Sequence, residues 1–192
     1  MVRIGIVIFP DVEELDFVGP FEVLSYINKI TPNSTEVLLI APSKEAVRAF
    51  NGLKVLPDTT LLESPKLDIL LFPGGKGRIT WMQEPSIKAF IEAQKEARYI
   101  TSVCTGAFFL AENGLLQGKK ATTYHTALEE LAAYGIDVLA QKVVHDGNII
   151  TSAGVSSGIE LGFYLLKLLF GDKMAYEVAK RIEYKVDFKH FE

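Results

Sequence analysis

The chain has 192 residues, 48% of them hydrophobic and 23% charged, with a formal net charge of -4. A chain of that length suits one domain and can bury roughly 70% of its unfolded surface, so a full core needs no disulfide or metal staple. Charges of both signs are mixed along it, which excludes the basic footprint of a nucleic-acid binder and the polybasic cluster of a membrane-surface segment.

In chain order, the first apolar run is Ile4–Phe9, followed at once by Asp11, Glu13, Glu14 and Asp16. It is too short for a signal peptide and is expected to be a strand. Pro20 suits the first turn of a helix predicted to run to about Ile30. Val37–Ala41 reads as a second strand. Asn51-Gly52 favours a tight hairpin between Val47–Phe50 and Leu53–Leu56, because both residues tolerate positive φ. Ile69–Phe72 and Tyr99–Val103 are two further strands, separated by a predicted helix from Ser86, its expected cap, through Ala97. A helix carrying Ala107, Phe108, Leu110 and Ala111 should follow the fourth strand. Asp146-Gly147 suggests a second hairpin between Lys142–His145 and Asn148–Thr151. Two helices, Val155–Phe170 and Lys173–Ile182, should close the chain around Gly171.

The four apolar runs are continuous rather than alternating, the mark of strands covered on both faces. Strand and helix in alternation predict a single α/β domain over residues 1–192, a three-layer α/β/α sandwich on a mostly parallel sheet with small β-hairpin additions. No apolar run approaches the ~18 residues of a membrane span; Leu161–Phe170 is interrupted by Lys167 and reads as a buried helix. The single cysteine cannot form an intrachain disulfide, which suits a reducing compartment. The expectation is a cytoplasmic protein without contact to membrane or nucleic acid.

The segment around Cys104 is the most informative. An apolar strand ends at Val103 and a helix begins soon after, which places Cys104 at a strand-to-helix turn on the carboxyl edge of the sheet. Gly106 would let the backbone turn sharply there, as at a nucleophile elbow. Helix-end N–H groups would favour a thiolate and lower the thiol pKa. The competing reading is a buried structural cysteine.

Asp16, flanked by Leu15, Phe17 and Val18, is read as lying between the first strand and the first helix. A carboxyl in an apolar loop can act as proton donor or base; alternatively, it only bonds amides at the helix start. Phe72-Pro73-Gly74-Gly75-Lys76-Gly77 follows a buried strand, and the N–H groups of Gly74 and Gly75 could stabilise an anion formed during attack. It lacks the Gly-Lys-Ser/Thr ending of a phosphate-binding loop. His125 either lines the pocket or is structural, and His145 flanks a hairpin. No metal-ligand spacing emerges, and no cofactor is implied.

Taken together, Arg3–Pro10, Leu15–Leu24, Asp68–Gly75, Ile100–Thr123 and Ile150–Leu161 resemble the DJ-1/PfpI (ThiJ) superfamily in order and spacing. The resemblance implies a flavodoxin-like sandwich, a cysteine on a strained elbow and a homodimer, with Val12, Phe17 and Phe50 as interface candidates if exposed. Leu15-Asp16-Phe17-x-Gly19-Pro20, Cys104-Thr105-Gly106 and Thr151-Ser-Ala-Gly154 are most similar to the isonitrile hydratase-like branch. That branch implies a lyase in which Cys104, Asp16 and Thr105 carry the chemistry on a small electrophile.

Other branches fit less well. The proteases carry His directly after the nucleophile, where Thr105 stands here. Glutamine amidotransferases need a late His-x-Glu, and His190-Phe191-Glu192 lies on a terminal tail. Glyoxalase-like members use a histidine near Thr122-Thr123, where His125 is displaced by Tyr124. A redox or ligand sensor without turnover remains open. A chain ending at Glu192 disfavours a following DNA-binding module.

Overall fold

The computed structural model describes residues 1–188, so the His190 of the late His-x-Glu lies outside the described residues. The chain runs β1 (Val2–Val7), α1 (Glu14–Tyr26), β2 (Thr35–Ala41), β3 (Val47–Arg48), β4 (Lys54–Val55), β5 (Thr59–Thr60) and β6 (Ile69–Phe72). It continues through α2 (Arg78–Trp81), α3 (Pro85–Ala93), β7 (Tyr99–Val103), α4 (Ala107–Glu112), β8 (Lys120–Ala121), α5 (Leu128–Ala132) and β9 (Asp137–Val138). The last elements are β10 (Val143–Asp146), β11 (Ile149–Ser152), α6 (Ser157–Phe170) and α7 (Asp172–Arg181).

The main sheet has the order β10-β11-β7-β6-β1-β2-β5, parallel except for β10 against β11. Its centre is dry: Ile4, Ile6 and Val7 of β1 and all of Ile69–Phe72 are fully buried. From β1 the chain steps one way through α1 to β2, and from β6 it steps the other way through α3 to β7. Right-handed crossovers therefore put α1 and α3 on opposite faces. Helix α6 packs along α1, and α7 along α6, completing a three-layer flavodoxin-like sandwich. The strand order reverses around β1, and a crevice opens at such a switch point beyond the carboxyl ends of the strands.

Several predicted boundaries move. β1 ends at Val7, although Ile8 and Phe9 stay fully buried beyond it. α1 begins at Glu14, six residues before Pro20, which sits inside the helix. A mid-helix proline forfeits one backbone bond, and burial of this helix against α6 outweighs that local preference. Asp16 is therefore in the first turn of α1 rather than in a loop. Glu84, not Ser86, is the N-cap of α3, with Pro85 in the first helical position.

The first hairpin pairs Val47 with Val55 and Arg48 with Lys54, and Ala49 N–H donates to Leu53 O at 2.8 Å. Its connection is thus Phe50-Asn51-Gly52 rather than a two-residue turn. The second pairs Asp146 with Ile149, so its turn is Gly147-Asn148. Because β11 pairs with β7, this hairpin is an edge of the main sheet and not an addition to it. Of the interface candidates, Val12 and Phe17 are core residues, whereas Phe50 is 51% exposed. Among the described residues no helix is long and apolar enough to cross a membrane.

Candidate active site

Three loops converge at the switch point, those leaving β1, β6 and β7. Beneath them the rings of Phe9 and Phe72 pack on Phe109, with centroids at 5.2 and 4.9 Å, and fix α4 under the strand ends. Cys104 opens a single 3₁₀ turn, Cys104–Gly106, that leads into α4. Its backbone has φ +57°, a left-handed conformation that costs an L-residue roughly 1–3 kcal/mol and persists only where the surroundings hold it. They do so from two sides: Cys104 N–H donates to Ala153 O at 3.1 Å, and Thr123 Oγ1 donates to Cys104 O at 2.8 Å. Gly106 permits the turn by close approach, since a Cβ there would lie 2.0 Å from Phe72 O.

The strained turn presents the thiol to a cleft of about 320 Å³ while leaving Cys104 only 6% exposed. Backbone N–H groups of Thr105 and Val155 lie near the sulfur and act to lower the thiol pKa. Val155 does so from its own left-handed conformation, φ +44°. For a β-branched residue that is a genuine outlier.

Asp16 is fully buried. Its Oδ2 accepts Gly74 N–H at 2.9 Å, while Oδ1 is buried without a conventional hydrogen-bond partner. The Cys104 thiol is a polar neighbour of this carboxyl, close enough for each group to alter the other's proton affinity. Burial pushes the Asp16 carboxyl from 3.8 up to about 7, against the lowering effect of Gly74 N–H and the thiol. Burial likewise pushes the Cys104 thiol up to about 12, with the Asp16 charge as the second cause. Desolvation and a like charge outweigh the two N–H donors. The expected depression of the thiol pKa is thus reversed.

The glycine loop also differs from expectation. Gly75 N–H donates to Thr105 Oγ1 at 3.2 Å and Gly74 N–H is taken by Asp16, so neither is free for a substrate anion. Gly74 instead allows contact: a Cβ there would lie 2.6 Å from Thr105 Oγ1 and 3.0 Å from Asp16 Oδ2. Of the proposed residues, Cys104, Thr105 and Gly75 line the cleft, with Asp16 and Gly74 directly behind them. Gly106 shapes the turn without lining the cleft.

His125 is not brought to it. It is exposed and borders a separate hollow with Thr122, Thr123 and Lys142. Tyr124 takes the place at the cleft, because the 3₁₀ turn that starts at His125 carries the next side chain outward. His145 has both ring nitrogens occupied, by Tyr164 OH at 2.9 Å and Gly147 O at 2.8 Å.

Sequence reasoning missed Glu13, Arg78, Tyr124 and Val155 as cleft residues. For Arg78 the available signal was a cation just after the glycine loop. For Val155 no signal exists, since nothing in a valine announces positive φ.

This geometry accompanies a match to the DJ-1/PfpI family over residues 2–168. The chain belongs to that family. It is 37% identical over 183 residues to the isonitrile hydratase of Pseudomonas putida, covering 95% of this chain and 78% of that protein. It is 30% identical over 180 residues to protein dj-1beta of Drosophila melanogaster, covering 91% and 93% of the two. Among solved structures, a ThiJ/PfpI family protein from Pseudomonas syringae superposes with a TM-score of 0.90 at 30% identity, covering 97% of this chain and 76% of that one. As a DJ-1/PfpI member, the chain keeps the family fold with a lone cysteine at the elbow.

Proposed function

We propose that this DJ-1/PfpI protein is a cysteine-dependent hydro-lyase that adds water to an isonitrile and releases an N-substituted formamide. One observation carries the reading: a thiol held in left-handed backbone at the floor of a cleft, beside a fully buried carboxyl. Two negative charges are strongly disfavoured there, so between about pH 7 and about 12 the pair holds one proton. A pair with one mobile proton can deprotonate the nucleophile and then act as acid without exchange with bulk water. Similarity to the Pseudomonas putida isonitrile hydratase supports the substrate class.

In the first step the S–H proton passes to Asp16 as sulfur bonds to the terminal isonitrile carbon. Asp16 returns that proton to the same carbon, giving a thioimidate, R–N=CH–S. Water then adds to the carbon, one of its protons passing through Asp16 to nitrogen. Collapse of the tetrahedral adduct breaks the C–S bond, gives the formamide R–NH–CHO and restores the thiol. Thr105, whose Oγ1 accepts Gly75 N–H, presents its hydroxyl hydrogen to orient the attacking water.

The test is steady-state hydration of a simple alkyl isonitrile by the parent, Cys104→Ala and Asp16→Asn. Both variants should lose turnover, and kcat/KM of the parent should rise through about pH 7 as Asp16 ionises. Retained turnover in either variant would sink the assigned roles. A sensor would instead show stoichiometric oxidation of Cys104 and no turnover; its elevated thiol pKa argues against rapid oxidation.

A further inference from the structure

The cleft carries a cation that the proton chemistry above does not use. Arg78 borders the same cleft as Cys104, yet its side chain is only 11% exposed. Three contacts clamp it. Nη2 donates to both carboxylate oxygens of Glu130 at 2.8 Å, the guanidinium carbon lies 3.9 Å from the Phe108 ring centre, and Nη1 lies 3.9 Å from the Met82 sulfur. Phe108 is on α4, in the first turn after the cysteine elbow, so the helix that follows the nucleophile also carries the ring that supports the guanidinium.

Glu130 engages Arg78 through one nitrogen rather than across the usual two-nitrogen fork. Among the described residues, Nε–H and the remaining Nη1 hydrogen therefore have no carboxylate or carbonyl acceptor. Nε is not sealed in the core either. The Glu130 side chain is 52% exposed, so water screens its charge far more than that of the buried guanidinium. The exposed Lys76 adds a second cation at the mouth, where Glu13 is the carboxyl among the lining residues and Asp16 lies behind the floor.

We propose that Arg78 is an anion-binding subsite and that the substrate is an isonitrile carrying a carboxylate distal to its reacting carbon. This rests on the hydratase reading and deepens it by naming the substrate class. A planar guanidinium matches a carboxylate in shape and hydrogen-bond direction. Anchoring that end of a small molecule in a cleft of about 320 Å³ holds the other end at the sulfur.

The experiment compares a neutral alkyl isonitrile with an ω-carboxyalkyl isonitrile of equal chain length. The parent should favour the carboxylated substrate by about tenfold or more in kcat/KM, expressed mainly in KM. Arg78→Gln should collapse that ratio toward one, and Arg78→Lys should retain part of it. Glu130→Gln, which leaves the cation and removes its partner, should raise the ratio; a merely structural salt bridge would not. Independently, butyrate should slow alkylation of Cys104 by iodoacetamide in the parent and in Glu130→Gln, but not in Arg78→Gln. Equal kcat/KM for the two isonitriles in the parent overturns the subsite and leaves the hydratase reading intact. Protection by butyrate without turnover of either isonitrile keeps the subsite and retires the hydratase chemistry. Neither protection by butyrate nor turnover of either isonitrile overturns both.

Discussion

Replacing Asp16 by Asn should stabilise the protein at neutral and alkaline pH while abolishing its chemistry. The carboxyl moves from 3.8 to about 7 on folding because it is taken fully out of water. Its folded-state pKa is raised, so what it contributes to stability is fully present below 3.8 and is lost as pH rises through about 7. At 1.36 kcal/mol per pH unit, an ionised Asp16 costs the folded state about 4 kcal/mol above that range. An Asn carbonyl can still accept Gly74 N–H, so the substitution removes the ionisation cost and keeps the hydrogen bond. Urea unfolding of parent and variant under reducing conditions, from pH 4 to pH 9, measures the difference. The advantage of Asn should be near its constant offset at pH 4, grow between pH 4 and 7, and level off by about pH 8. Parallel stability curves across that range would refute the idea that Asp16 is held against its ionisation.

The same substitution removes the charge that raises the Cys104 thiol, so alkylation of Cys104 by iodoacetamide at pH 9 should be faster in Asp16→Asn; an equal or slower rate would contradict the electrostatic link. Gly106→Ala would force a Cβ to within 2.0 Å of Phe72 O and should cost several kcal/mol or prevent folding, read by thermal unfolding. Thr105→Val removes the acceptor of Gly75 N–H and should destabilise by about 1–2 kcal/mol in urea while lowering kcat, whereas unchanged kcat would remove Thr105 from the chemistry. We also propose a homodimer through the exposed Val18, Phe50 and Leu53, which lie around Glu14 on α1 and the first hairpin. Sedimentation should show a dimer at micromolar concentration that Phe50→Glu dissociates, and a monomeric parent protein would refute it.

The residues by themselves determined the layers and the place of the nucleophile. Uninterrupted apolar runs such as Ile69–Phe72, four residues long and followed by Pro-Gly-Gly, read as strands covered on both faces, and a cysteine between such a strand and an apolar helix then falls on the carboxyl edge. Helix starts were less legible. Pro20 and Ser86 carry local signals for a first turn and a cap, but α1 starts before Pro20, where packing on α6 decides, and Pro85 already fills the first position of α3. The partners of the loop amides were not legible at all. Gly74 and Gly75 offer N–H groups in any fold, and only the approach of α1 and of the elbow assigned them to Asp16 and Thr105. The sign of the Cys104 shift belongs to the tertiary structure for the same reason. A helix start lowers a thiol pKa locally, but burial and a neighbouring carboxyl raise it more, and both come from segments distant in the chain. His125 and Tyr124 exchanged roles because one 3₁₀ turn, invisible in composition, decides which of two adjacent side chains faces the cleft.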